Sequence, residues 1–400
     1  MGAQNGKQVR NFENLSQSDA RRVEETFKNH GAQKGKLDLH HFQRAFPSLG
    51  AFSELLFERI SDEHDRIHCA DLLQVCNDAY GSYDEQAQNL IKVFGDEFAQ
   101  IARRVADFYC AAHHLASSES SKLAEHFEHT NRYPLDRLDK YLVAAPLFAK
   151  LSKCAFSRIL AVDEPPRILP KLAGETRLMS KADLMVLNAQ MMMDQQNRWQ
   201  LLFASALMGS SFAQMVKRIN REGPCIVVIQ SKSDHVFGFY ASDGFQSGPL
   251  YHGNETCFLF ELDRHIRIFN STGRVDKYAY LNFQQQSMPN GMGIGGAGDV
   301  WPLFIREDYG TGICQNGSVA FDACFVAKEK EFAIKNMEVW RIGEKPVIIG
   351  ADGEVVKSEK SIIDKDPEAR AILEMSGKKM HSEAYREPAP LLDDEDEFQK

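Results

Sequence analysis

The hydrophobic pattern divides the chain into a helical half and a β-rich half. In the first 162 residues, apolar side chains recur three and four positions apart, as Val23 and Phe27 do. This spacing is typical of amphipathic helices. The first predicted helix is capped by Ser16 or Ser18 and runs to about His30. Two further helices are expected around residues 55–60 and 72–76.

Two longer helices complete the predicted helical half. A single apolar stripe continues from Leu90 to Phe108, and we expect one long helix there, capped by Asp84. Residues 141–160 show the same spacing. The helical region therefore ends near residue 162, where Pro165 and Pro166 prevent a helix from continuing and mark a linker over residues 163–177.

Beyond the linker the period changes to that of strands. Ser180 and Asp183 have the spacing of a capping box and open a helix expected to reach Met193. A second helix follows Ser211 and ends before Gly223. Short β-rich runs, separated by turn residues, are then expected at residues 225–230, 235–241, 257–262, 266–270, 278–283, 301–306 and 332–342. This spacing predicts an antiparallel two-sheet sandwich with flanking helices, and an α+β fold overall.

Two predicted helix pairs in the first half resemble degenerate EF-hands. The loop over residues 30–41 keeps Gly35 at the sharp turn, but Ala32, Lys34 and His41 stand where calcium needs oxygen ligands. The loop over residues 60–71 offers Asp62 and Asp71, but Ile60 stands at the first ligand position and Asp65 where glycine belongs. The alternatives are a calcium sensor and a scaffold that has lost its metal, and the ligand count favours the scaffold.

Composition and charge narrow the classes of function. The chain has 400 residues, with 47 Lys and Arg against 56 Asp and Glu, a net charge of −9. An acidic balance lacks the footprint of a nucleic-acid-binding protein. No apolar run approaches the roughly 18 residues of a membrane span, and the first 14 residues lack the apolar core of a signal peptide. We therefore expect a cytoplasmic protein with reduced cysteines.

No convincing catalytic, cofactor or metal site emerges. The glycines of residues 291–296 fit G-x-G-x-x-G, but no helix is expected after them, so a turn or a close backbone approach is the better interpretation. His126 and His129 lie three apart rather than four, and a solvated helix face is expected there. Cys225 has no neighbouring base or cation to activate it.

Six ordered motifs in the β-rich half resemble the TLDc domain family. They cover residues 178–343 and are Trp199-Gln200-Leu201-Leu202-Phe203 with Gly209-Ser210-Ser211-Phe212, the strand from Cys225, the strand from Val236, Cys257-Phe258-Leu259-Phe260, the glycine-rich segment 291–296, and Met337-Glu338-Val339-Trp340. The whole layout is similar to the mTOR-associated, EAK-type branch of that family. That branch combines an acylated N-terminus, an EF-hand-like helical half, the TLDc domain and a C-terminal helix.

The resemblance implies a function. It implies a non-enzymatic adaptor that binds subunits of the vacuolar proton-pumping ATPase and acts with signalling proteins of the mTOR or insulin-like pathways. Such a protein would be cytoplasmic and peripheral on lysosomal or plasma membranes. The alternative is an oxidation-resistance protein or redox enzyme, against which the lack of a nucleophile–base pair counts.

The two ends carry further predictions. Gly2 becomes N-terminal once Met1 is removed, although Gly6 stands where the acylation motif wants Ser or Thr. The alternatives are lipidation at Gly2, which the resemblance favours and which would bring the protein to a membrane surface, and a chance Met-Gly start.

At the other end, residues 367–376 predict a short helix with Ile372, Leu373 and Met375 as apolar anchors. So short a helix must dock, either on its own TLDc domain or on a partner. The expected organisation is an arm (1–15), the helical EF-hand-like domain (16–162), a linker (163–177), the TLDc domain (178–343), a C-terminal segment with the docking helix (344–387) and an acidic tail (388–400).

Overall fold

The structure is a computed structural model that describes residues 12–276, 278–285, 288–297 and 300–346. The predictions for Gly2, the helix at 367–376 and the acidic tail fall outside the described residues. Among the described residues, no helix is long and apolar enough to cross a bilayer.

The first half is helical, as predicted. Its elements are α1 (Gln17–Asn29), β1 (Lys36–Leu37), α2 (Leu39–Ala45), α3 (Phe52–Ile60), β2 (Ile67–His68), α4 (Cys69–Ala79), α5 (Tyr83–Phe94), α6 (Phe98–Ala112), α7 (Ser117–Thr130), α8 (Leu138–Ala144) and α9 (Pro146–Leu160), with short 3-10 turns at Pro47–Leu49 and Leu135–Arg137. Ser16 caps α1 by accepting from the Asp19 amide. Val23 and Phe27 are buried on its inner face, as their spacing indicated.

The single long helix expected from residue 84 to residue 108 is wrong. The chain forms two helices, α5 and α6, because Gly95 ends α5 with a φ of 135° that other residues rarely adopt. Ser82, rather than Asp84, caps α5 through a capping box with Glu85. The apolar stripe continued across this break since both helices turn one face to the same core. Residues 141–160 are likewise divided between α8 and α9 at Pro146.

The second half holds the remaining helices and a large sheet. The elements are β3 (Lys171–Ala173), α10 (Lys181–Ala189), β4 (Arg198–Ala204), α11 (Ser205–Met208), α12 (Phe212–Ile219), β5 (Cys225–Ser231), β6 (Val236–Ala241), β7 (Tyr251–His252), β8 (Phe258–Leu262), β9 (Ile266–Asn270), β10 (Ala279–Asn282), β11 (Gly291–Ile294), β12 (Leu303–Arg306), β13 (Thr311–Ile313) and β14 (Glu331–Ile342). The seven expected strands are present. Helix α10 ends at Ala189, four residues before the predicted end at Met193. The segment assigned to a linker contributes β3.

The strands form two layers that share β14. Along the hydrogen-bonded path the strand order is β7-β10-β11-β12-β13-β14-β5-β6-β8-β9. Strand β4 pairs with the edge of β14 opposite β5. The first residues of β14 pair with β13, and the later ones pair with β5 and β4. All pairings are antiparallel except that of β3 with β4. This arrangement confirms the predicted α+β fold with an antiparallel sheet.

Strand alternation divides the hydrophobic core. On β5, Val227 and Ile229 point into a cluster that also includes Leu281 and Ile305 from the other layer. Ile226 and Val228, on the opposite face of β5, belong to a second cluster that continues into the helices of the first half. Successive residues of a strand face opposite sides, so one sheet is covered on both faces. The helical half is therefore packed directly on the β-rich half.

Candidate functional site

An ion pair connects the two halves of the protein. Lys122 of α7 places its Nζ 2.8 Å from Oδ1 of Asp183, at the start of α10, and 2.9 Å from the carbonyl oxygen of Leu262. The Asp183 side chain is only 2% exposed. Burial raises the pKa of Asp183, and the Lys122 ammonium opposes that rise. The carboxylate thus depends on Lys122 for its charge partner.

A second contact from α7 holds the same end of α10. The Glu119 carboxylate accepts hydrogen bonds from the backbone amides of Lys181 (3.1 Å) and Ala182 (2.7 Å). These amides are among the first of a helix and lack partners inside it. A negative side chain at this position also complements the helix dipole. The predicted capping box of Ser180 and Asp183 is present as well.

His126 contradicts the expectation of a solvated face. Its side chain is buried, and its Nδ1 lies 3.1 Å from the carbonyl oxygen of Ile266 on the edge strand β9. Burial lowers the pKa of His126 to about 4, so the ring is neutral at physiological pH. His129 does lie on the exposed face of α7. The three-residue spacing gave no sign that the sheet covers one of the two histidines.

Glu338 ties β14 to the segment before α10. Its buried carboxylate accepts from the Thr176 hydroxyl at 2.8 Å, the Arg177 amide at 2.7 Å and the Trp340 indole Nε1 at 2.9 Å. The sequence signal for this contact was a charged residue between apolar neighbours in a predicted strand. Buried charges are rare unless they are hydrogen-bonded or paired, so such a residue predicts polar partners. Glu338 therefore has a structural role.

The glycine-rich segment forms strand β11 rather than a nucleotide-binding turn. A Cβ added at Gly293 would lie 2.8 Å from the Leu303 carbonyl oxygen and 2.8 Å from the Phe304 ring. At Gly296 it would lie 2.4 Å from the Trp301 ring. The glycines are thus places where aromatic rings press on the backbone, which is the close approach expected from the sequence.

The two EF-hand-like loops pair without calcium ligands. Strands β1 and β2 form their short antiparallel ladder. Lys36 of the first loop donates from Nζ to Oδ2 of Asp62 in the second loop, at 2.9 Å. The other oxygen of Asp62 accepts the amides of His64 and Arg66. The Lys36 ammonium holds the pKa of Asp62 well below its usual range. The Asp62 carboxylate is therefore already paired with a positive charge of the protein itself.

Metal-ligating clusters and imidazole–carboxylate pairs are the remaining candidates for chemistry among the described residues. No group of three or more His, Cys, Asp or Glu side chains in the described part of the chain is placed to hold a metal ion. Five described histidines form imidazole–carboxylate pairs: His235 with Asp263 (3.0 Å), His113 with Glu164 (2.7 Å), His41 with Asp38 (2.8 Å), His68 with Asp62 (3.1 Å) and His265 with Glu125 (3.3 Å). In none of these pairs does the structure show the second ring nitrogen bonded to a described hydroxyl or thiol. These pairs therefore lack the nucleophile that a hydrolytic triad requires.

The cysteines are free thiols in largely buried positions. All eight are unpaired and seven are buried, with Cys69 half-buried. Burial raises the pKa of every one of these thiols, in the case of Cys69 to about 12. A thiol rather than a thiolate is therefore present at neutral pH, and the thiolate is the nucleophilic form.

Comparison with known proteins identifies the second half. The model of the TLDc domain family matches residues 172–343. The chain carries a TLDc domain. Strands β4 to β14 lie within the matched range, and so do Asp183 and Glu338. The resemblance drawn from the six motifs is thereby confirmed.

Several of the similar curated proteins share a name. MTOR-associated protein MEAK7 of Gallus gallus is 37% identical over 216 residues, which are 54% of this chain and 44% of that protein. MEAK7 of Homo sapiens is 36% identical over 225 residues, 56% of this chain and 48% of that protein. Nuclear receptor coactivator 7 of Homo sapiens is 23% identical over 180 residues. The chain spans about half the length of the MEAK7 relatives it matches.

Proposed function

We propose that this protein is a non-enzymatic adaptor of mTOR-linked signalling that binds the vacuolar proton-pumping ATPase. The observation that carries the proposal is the TLDc domain together with the similarity to proteins named mTOR-associated. Pump binding and action in insulin-like signalling come from the resemblance of the whole layout to the EAK-type branch. The signalling partners would be proteins of the mTOR pathway.

The chemistry of the described residues favours an adaptor over an enzyme. Buried thiols with raised pKa values do not suit a redox enzyme, which is the alternative function. The imidazole–carboxylate pairs of the described residues lack a bonded nucleophile. The buried carboxylates of Asp183, Glu261 and Glu338 are bound to groups that hold the fold together. A scaffold for protein contacts accounts for these features.

Two segments outside the described residues complete the proposal. The apolar side chains of Ile372, Leu373 and Met375 would anchor the predicted helix at 367–376 on the pump. Acylation of Gly2, with Lys7 and Arg10 near an anionic surface, would hold the protein at lysosomal or plasma membranes. An acyl chain alone, or two basic residues alone, binds a membrane only weakly. The combination of the two would therefore localise the protein.

The test is affinity purification of the full-length protein from detergent-solubilised membranes, read by mass spectrometry. Recovery of several pump subunits in stoichiometric amounts supports the proposal. A parallel purification of an unrelated TLDc-free protein with the same tag controls for background. Recovery of mTOR-pathway proteins without any pump subunit would support the adaptor role and contradict pump binding. Recovery of neither would contradict the proposal.

A further inference from the structure

The helical half contains a cleft that takes no part in the contact with the TLDc domain. It is bounded by the 3-10 turn Pro47–Leu49, the start of α3, the second half of α6 and Arg158 of α9, and it encloses about 580 Å³. This volume lies within the range of roughly 300–1,000 Å³ that is usual for small-molecule sites. All lining residues belong to the helical half.

The floor of the cleft is apolar and held in place by ring packing. Phe52 stacks on Phe94 with ring centroids 5.0 Å apart, and it meets Phe108 at the same distance. Leu49 and the half-buried Leu55 complete the floor. Because these rings are fixed by their neighbours, the cleft is formed before any ligand enters, which lowers the cost of binding.

The charged groups at the rim leave one positive charge uncompensated. Arg158 donates from Nε to Glu164 at 2.9 Å, and Asp107 accepts from Ser120 and Arg103. Arg104 donates from Nη1 to the Phe94 carbonyl oxygen at 2.6 Å. It forms no ion pair with a carboxylate of the described residues. A guanidinium without a carboxylate partner, beside an apolar floor, favours a ligand with an anionic head and an aliphatic tail.

We propose that this cleft binds a long-chain fatty acid, with the chain on the Phe52–Phe108 floor and the carboxylate at Arg104. Burial of the chain supplies non-directional affinity. The planar guanidinium pairs with a carboxylate through two parallel hydrogen bonds, which fixes the orientation of the head. The proposal concerns a free lipid and depends neither on acylation of Gly2 nor on pump binding.

The test uses full-length, unacylated protein and sodium myristate below its micellar concentration, followed by titration calorimetry. The expected result is saturable binding of one myristate per chain. Tetradecyltrimethylammonium has the same chain length and the opposite charge, so it should bind at least about tenfold more weakly. Removing the charge with Arg104→Gln should weaken myristate binding by about tenfold. The melting temperature of Arg104→Gln is checked because Arg104 also bonds the Phe94 carbonyl.

A matched pair of alanines on α6 locates the site. Ala111 lines the cleft and is exposed, so Ala111→Trp should fill the cleft and abolish binding. Ala99 is an exposed position of the same helix outside the cleft, and Ala99→Trp should bind myristate as the wild type does. The proposal is overturned if folded wild-type protein shows no saturable binding. Equal binding of the cationic amphiphile, or unchanged binding by Ala111→Trp, overturns it as well.

Discussion

Lys122 and Asp183 lie 61 residues apart in the chain and meet with Nζ and Oδ1 2.8 Å apart, where α7 of the helical half contacts α10 of the TLDc domain. Lys122→Met would leave a buried carboxylate without its cation. Breaking such a pair costs about 3 kcal/mol, at the lower end of the usual range because Lys122 remains partly exposed. We expect a loss of that size in the free energy of unfolding, measured by urea denaturation of the full-length protein.

The pH dependence of this loss follows from the pKa of Asp183. Burial raises that pKa above 3.8, so the ionisation of Asp183 lowers the free energy of unfolding as the pH rises. This loss is larger in a variant that lacks the Lys122 ammonium. The deficit of Lys122→Met should be greatest at neutral pH and shrink as acidification protonates Asp183. Lys92→Met, at an exposed position of α5, should change stability by less than about 0.5 kcal/mol. A pH-independent deficit would argue against this explanation.

The glycine-rich strand provides a second stability test. At Gly293 an added methyl group would be 2.8 Å from both the Leu303 carbonyl oxygen and the Phe304 ring. Gly293→Ala should therefore destabilise the protein by about 1–3 kcal/mol through overpacking. At Gly310 an added Cβ meets no atom within 4 Å, so Gly310→Ala is the matched control. Thermal denaturation compares the two, and equal melting temperatures would show that the glycine at 293 is not required.

Most local parts of this fold were predictable from the sequence, although the break at Gly95 and the Ser82 cap of α5 were missed. The long-range contacts were not predictable. The caps of α1 and α10 follow from Ser16 and Ser180, because a cap involves residues three positions apart. Strand β11 was missed since glycine disfavours strands, and only the rings of Trp301 and Phe304 explain it. His126 was wrongly predicted to be solvent-exposed because its partner, Ile266, lies 140 residues away in the chain.

The EF-hand-like loops give a prediction about calcium. Ala32 and Lys34 stand at ligand positions of the first loop, and Lys36 occupies Asp62 of the second. Titration calorimetry at micromolar calcium should therefore show no binding heat. A calcium-binding EF-hand protein titrated in the same buffer confirms that heat would be detected. A tight, stoichiometric site in the first loop would mean that the helical half is a sensor rather than a scaffold.

The proposed acyl anchor predicts weak, salt-sensitive membrane association. A single myristoyl chain gives an association constant of about 10⁴ M⁻¹, and Lys7 and Arg10 each add roughly 1 kcal/mol near an anionic surface. Gly2→Ala should release the protein from membranes, as measured by fractionation at low and high salt. Gly6→Ala alters a nearby glycine that cannot be acylated and should have no effect. Unchanged partitioning of Gly2→Ala would exclude the anchor.

The predicted C-terminal helix tests how the pump is bound. Burial of Ile372 and Leu373 against a partner would supply roughly 1.5–3 kcal/mol each, so replacing both by Asp should weaken binding by about two orders of magnitude. Val355→Asp with Val356→Asp changes an equally apolar pair in the same C-terminal segment, outside the predicted helix, and should bind as the wild type does. A large fall in the melting temperature of the Ile372–Leu373 variant would instead indicate docking on its own TLDc domain.

The most direct test of the adaptor proposal is quantitative recovery of vacuolar ATPase subunits by the full-length wild type and by these two double variants. The proposal predicts strong recovery by the wild type and by the Val355–Val356 variant, and a loss of about a hundredfold for the Ile372–Leu373 variant at an unchanged melting temperature. Failure of the folded wild type to recover any pump subunit would contradict it.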